Sequence, residues 1–182
     1  HKIFESKDST IWICSEIGLS FYDRGSESFK NFFPDSIELY SSINKIREIY
    51  ELGDFLVLNA GGLLYTFNRK TSKFQRFDKI LIPQVNEFIE PISMFPASKE
   101  KIWIFESHND KLLLNLFDVE KQTFQAYHSA DSILLKPSEL RITQVYESKS
   151  GVIWLATFGN GVYKLTLNEK NTFRSKQFTK EQ

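Results

Sequence analysis

The chain has 182 residues, 41% hydrophobic and 15% aromatic, and its 23 lysines and arginines balance its 23 aspartates and glutamates. Zero net charge removes the basic excess on which nucleic-acid binding depends, and it offers no attraction toward an anionic membrane surface. A single cysteine, Cys14, excludes an intrachain disulfide, and no apolar run approaches the ~18 residues of a membrane-spanning helix.

Aromatic and β-branched residues favour strands, and the apolar segments are strand-sized. The first is KIFES at 2–6. A polar turn, KDST, leads into IWICS around Trp12, and a second turn into the alternating GLSFYD. The copy closes on the aromatic pair Phe29 and Phe32. The same parts return in the same order: IREIYEL at 46–52, FLVLNA with Leu56 in the tryptophan's place, LLYTFN, then Phe74 and Phe77. A third copy runs from ISMFPAS at 92–98 through KIWIF with Trp103 and LLLNLFD to Phe124 and Tyr127. The fourth is ITQVYES at 142–148, GVIWLAT with Trp154, GVYKLTL, and Phe173 with Phe178.

Four short strands recurring at a period of roughly 40–50 residues are the signature of a β-propeller blade. The pattern predicts an all-β chain of about four blades, each a four-stranded antiparallel meander, with repeats at approximately 1–33, 44–77, 90–127 and 140–178. In the tryptophan strands both faces are apolar. Ile11 and Ile13 oppose Trp12, Ile102 and Ile104 oppose Trp103, and Ile153 and Leu155 oppose Trp154. Such strands need cover on both sides, as between stacked blades, and the three tryptophans are expected in the core. The closing strands mix lysine, arginine and glutamine with aromatics, as suits an outer edge. Gly159 and Gly161 are expected as turn residues with positive φ.

The stretches VYESKSGVIWLATFGNGVYKL and IFESKDSTIWICSEIGLSFYD resemble the two-component regulator propeller repeat. In that repeat an apolar strand ends in an acidic residue, and a turn, an Ile-Trp-Ile strand, a Gly-Gly-Leu turn and an aromatic pair follow. IYELGDFLVLNAGGLLYTFN keeps the glycine turn and lacks the tryptophan. MFPASKEKIWIFESHNDKLLLNLFD keeps the tryptophan and puts Asn109, Asp110 and Lys111 where the glycine turn belongs. The resemblance covers essentially the whole chain. It implies the periplasmic sensor region of a hybrid two-component histidine kinase, as found in Bacteroidetes, here as part of a larger propeller. The chain begins with His1, and a longer parent carrying the kinase and membrane anchor is expected.

No catalytic, cofactor-binding or metal-ligating set is legible. His1, His108 and His128 have no His, Cys or carboxylate at ligand spacing, so no metal and no cofactor are expected. His108, Asn109 and Asp110 read as a polar turn. Cys14 sits among apolar residues and reads as a buried, inert thiol. Glu5 and Glu147 recur at one repeat position, which points to a side-chain bond to local turn backbone. Ligand-binding residues stay unassigned; the place to look is the connectors at roughly 34–45, 78–91 and 128–141, which carry Tyr40 and Phe88.

The expected function is therefore non-catalytic: a ligand-sensing or scaffolding part of a sensor that responds to an oligosaccharide. The segment itself would contact neither nucleic acid nor membrane. An interaction propeller unrelated to any kinase, and a propeller-fold polysaccharide lyase or glycosidase, are the competing readings. Four blades of a larger ring would leave two apolar faces open, so self-association, such as two chains forming a dimer, is expected.

Overall fold

The computed structural model describes residues 2–34, 44–77, 93–108, 111–130 and 141–179. Sixteen strands run through them, with no α-helix among the described residues. The chain divides into two compact units, His1–Ile92 and Ser93–Gln182.

The first unit holds two four-stranded antiparallel sheets, each strand beside its sequence neighbour. The first meander is β1 (Lys2–Glu5), β2 (Ile11–Cys14), β3 (Leu19–Asp23) and β4 (Ser28–Phe32). The second is β5 (Ile46–Leu52), β6 (Phe55–Ala60), β7 (Leu63–Asn68) and β8 (Lys73–Phe77). One core joins them. Trp12, Cys14 and Leu19 pack with Ile49, Leu56, Leu58, Tyr65 and Phe67, and the Trp12 ring meets Phe67 edge-on at 5.6 Å. Large side chains buried this way each contribute roughly 1.5–3 kcal/mol.

The second unit repeats the plan with β9 (Ser93–Pro96), β10 (Lys101–His108), β11 (Lys111–Asp118) and β12 (Thr123–Ser129), then β13 (Ile142–Glu147), β14 (Ile153–Thr157), β15 (Val162–Leu167) and β16 (Thr172–Phe178). Here the two meanders merge into one eight-stranded sheet, because β12 and β16 pair in parallel over two residues, His128 with Thr172 and Ser129 with Phe173. Trp103, Phe105, Leu114 and Tyr127 share a core with Ile153, Leu155, Leu165 and Phe173. The closing strands β4 and β8 are sheet edges as expected, but β12 and β16 are not: they bond to each other in the middle of the eight-stranded sheet.

The turns between third and fourth strands are built alike in all four meanders. The Asp or Asn that ends the third strand accepts backbone N–H groups of the turn: Asp23 from Gly25, Asn68 from Lys70 and Thr71, Asp118 from Lys121, Asn168 from Lys170. The residue before the fourth strand then takes a left-handed conformation: Glu27 (φ 48), Ser72 (φ 55), Gln122 (φ 53) and Asn171 (φ 54). This side-chain mimicry of a turn bond explains why each alternating segment is followed or ended by Asp or Asn.

Gly159 and Gly161 have φ 93 and φ 74, in the left-handed region anticipated for them. Gly161 does more than turn the chain. A Cβ there would overlap the carbonyl oxygen of Phe178, and at the equivalent Gly18 it would lie 2.5 Å from the carbonyl oxygen of Phe32. In both copies the start of the third strand presses against the end of the fourth.

Two expectations need correction. Trp154 is only half-buried, while its strand neighbours Ile153 and Leu155 are fully buried, so it is no core residue. Burial on both faces holds for Leu56–Ala60 and Ile102–Phe105, but not for the tryptophan strands β2 and β14. In β2 only Trp12 and Cys14 are buried, and in β14 only Ile153 and Leu155. In both strands the buried face is the one packed on the other meander of the same unit.

Candidate functional site

The most elaborate polar constellations join one meander to the next within each unit. In the second unit the carboxylate of Glu147, at the end of β13, reaches the turn between β9 and β10. It accepts the Ser98 backbone N–H at 3.2 Å, the Ser98 hydroxyl at 3.0 Å and the Trp103 indole N–H at 2.9 Å. Burial raises the nearby Tyr127 hydroxyl above the ordinary tyrosine range, and the Glu147 charge adds to the effect. The expected local role of Glu147 is therefore overturned. Its partners lie 44 and 49 residues earlier in the chain, because the end of β13 projects over the preceding meander rather than its own turn.

The first unit has the counterpart. Glu51, one residue before the end of β5, accepts the Lys7 backbone N–H at 2.9 Å, and Lys7 stands where Ser98 does. Arg69 bridges the Glu51 and Asp8 carboxylates at 3.1 and 2.9 Å and donates to the Gly53 carbonyl at 2.9 Å. Bonds from Ser6 and Thr10, with Arg69 a lesser cause, bring Asp8 down to about 2. Trp12 gets no equivalent of the Trp103 bond; its buried indole nitrogen has no partner among the described residues. These clamps order a turn and hold two meanders together. They present no open position for a reacting atom.

Sequence-predicted residues do not converge. Cys14 is fully buried, and burial pushes its thiol up to about 11. His108 ends β10, with Asn109 and Asp110 outside the described residues, while His128 lies exposed on β12. His1, Tyr40, Phe88 and most of the three connectors also lie outside the described residues. Among the described residues no group of three or more His, Cys, Asp or Glu side chains could hold a metal ion.

Two sheet faces do stand open. On the fourth meander, Trp154 packs against Phe178 at 5.9 Å, with the Lys164 ammonium 5.9 Å from the Trp154 ring and that of Lys176 5.0 Å from the Phe178 ring. Tyr146, 62% exposed, and Val162 share that face by register. On the first meander, the face opposite Trp12 carries Ile3, 73% exposed, with Ile11, Ile13, Tyr22 and Phe29. Neither face shows in sequence as open, because alternation marks a side chain as apolar without saying what covers it.

Solved structures with this arrangement are extracellular domains of bacterial signalling systems. The extracellular domain of the hybrid two-component system BT3049 from B. thetaiotaomicron matches 99% of this chain and 24% of its own, at TM-score 0.64 and 17% identity. Two structures of the extracellular domain of BT4673 from the same organism, described in one as a one-component and in the other as a hybrid two-component system, match 98% and 97% of this chain and 24% of their own. Their TM-scores are 0.58 and 0.61, each at 15% identity. The chain has the fold of part of these extracellular domains. It spans about a quarter of their length. No protein-family model and no curated protein matches the chain. No helix among the described residues is long and apolar enough to cross a membrane.

Proposed function

We propose that the chain is a non-catalytic segment of the periplasmic sensor region of a hybrid two-component system, its four meanders being consecutive blades of a larger propeller. The observation that supports this best is the match of nearly the whole chain to about a quarter of such an extracellular domain. The clamps built from Glu51 and Glu147 suit a scaffold: within each unit they tie the first turn of one meander to the meander that follows. The ligand of the parent would be an oligosaccharide derived from a polysaccharide. Its binding would shift the population between kinase-off and kinase-on arrangements through differential affinity for the two.

The test is reconstitution of the full-length parent in membrane vesicles, with autophosphorylation followed against a panel of oligosaccharides. A response to one glycan class is expected. A parent without kinase activity, or one whose phosphorylation ignores every glycan, overturns the reading. Turnover of any polysaccharide by the 182-residue chain alone would overturn its non-catalytic part.

A further inference from the structure

We infer that the Asn160–Gly161 bond is a modification site, at which the folded chain converts its own asparagine to aspartate and isoaspartate without an enzyme. The argument is independent of the sensory reading.

Asparagine is among the thermolabile residues, and a following glycine leaves its side chain open to attack by the backbone. The Gly161 amide nitrogen, losing its proton to base, bonds to the side-chain carbonyl carbon of Asn160. The bond from that carbon to the amide nitrogen breaks, and ammonia leaves. Water then opens the five-membered imide at either of its carbonyls, giving aspartate or isoaspartate. Water enters, ammonia departs, and nothing is oxidised or reduced. The chain holds one Asn-Gly pair, and every other described asparagine precedes a residue with a side chain.

The fold leaves the attacking nitrogen available. An N–H that donates to a carbonyl must first give up that bond. The Gly161 N–H makes no hydrogen bond to any described residue. The turn is held through its carbonyls instead. That of Gly161 accepts the Thr157 N–H at 3.1 Å and the Thr157 hydroxyl at 2.7 Å, and that of Asn160 accepts the Gln177 side-chain amide at 2.9 Å. Packing also requires the glycine, because its φ is 74 and a Cβ would strike the Phe178 carbonyl. The residue that makes the step fast is thus the one the turn demands.

The first unit shows what a following meander does to this turn. Ser15 donates its N–H and hydroxyl to the Gly18 carbonyl, as Thr157 does to that of Gly161. The second meander reaches the turn through the Ile46 N–H, which bonds to the Ser15 carbonyl at 3.0 Å. The Gly18 N–H still makes no hydrogen bond to a described residue, and Ile17, which precedes the glycine as Asn160 does, is 45% exposed. A meander seated beside the fourth in the same way would leave Asn160 and Gly161 open.

Isoaspartate lengthens the backbone by one carbon between the anchored carbonyls and turns that of Asn160 into a pendant carboxylate. The Thr157 bonds to Gly161 should loosen.

The test is incubation of the native chain in mildly alkaline buffer, followed by mass spectrometry of the tryptic peptide 150–164. Asn160 should convert at a rate within about tenfold of a free synthetic peptide of the same sequence, the modest slowing of a turn that opens easily. Aspartyl and isoaspartyl products should separate on chromatography, and Asn160→Gln should yield neither. In the isolated isoaspartyl chain the Thr157 amide should exchange faster than in Asn160→Asp, which has the charge without the extra backbone carbon. A native chain that stays intact while the peptide converts overturns the proposal. So does equal conversion at the other asparagines, or identical Thr157 exchange in the isoaspartyl chain and Asn160→Asp.

Discussion

The indole N–H of Trp103 donates to the carboxylate of Glu147 at 2.9 Å across 44 residues of chain. Trp103 is 2% exposed, so the bond is made where water competes poorly. Glu147→Ala should therefore destabilise the second unit by about 2–3 kcal/mol, since it leaves the indole donor and the Ser98 donors without their acceptor. A double-mutant cycle with Trp103→Phe, read by urea unfolding, should give a coupling energy near 1 kcal/mol. Trp12→Phe is the control. Its indole nitrogen is buried without a partner among the described residues, so it should cost about 1 kcal/mol less than Trp103→Phe.

Glycines that look alike in sequence should respond differently to alanine. Gly53 has φ 55 and nothing within 4 Å of an added Cβ, so Gly53→Ala should cost only about 1 kcal/mol of backbone strain. Gly161→Ala adds a clash with the Phe178 carbonyl, which belongs to rigid strand backbone. It should cost at least about 2 kcal/mol more, and amide exchange at the end of β16 should accelerate. Thermal unfolding of the two variants side by side decides the point.

Asn115 is fully buried, and neither its amide nitrogen nor its side-chain oxygen has a partner among the described residues. An unpaired buried amide costs more than the volume it fills returns. Asn115→Leu, of similar size, should raise stability by about 1–2 kcal/mol in urea denaturation. A loss of stability would mean that the amide makes bonds worth keeping.

Stability at alkaline pH should depend on Cys14. Burial lifts its thiol from 9.0 to about 11 in the folded chain. The folded state therefore holds the proton more tightly than the unfolded one. The associated stability is fully present below pH 9.0 and is lost as pH rises toward 11. The loss should approach about 2–3 kcal/mol, and the part of the slope due to Cys14 should vanish in Cys14→Ala. Alkylation of the native thiol at pH 8 should likewise be far slower than in denaturant.

The strand order was legible residue by residue, because its signals are local. Alternation in LLYTFN, the polar turn before Trp12 and the closing aromatics each depend on residues a few places apart. What escaped depends on distance. Glu147 looked like a turn residue because its sequence neighbours are turn residues, yet its partners are Ser98 and Trp103. Trp154 looked like Trp103 because their strands are nearly interchangeable in sequence, yet one is half-buried and the other buried. Arg69 and Asp8 gave no signal at all, since a bridge between turns of two meanders has no fixed spacing. The glycines fall between these cases: the positive φ of Gly161 was readable, its approach to Phe178 was not.

The clamps also give assembly a direction. The turn after β1 gains its cross-meander acceptor from Glu51, and the turn after β9 gains its own from Glu147, so each is completed by residues synthesised later. On a ribosome the chain emerges from its N-terminus, so the first meander waits for the second, and the third for the fourth, to supply a carboxylate. A ribosome paused between two copies would leave an unlatched turn at the growing end, while every earlier latch within a finished pair stayed shut. Such a chain would mature in steps of one pair of meanders, with the order of synthesis written into the order of closure.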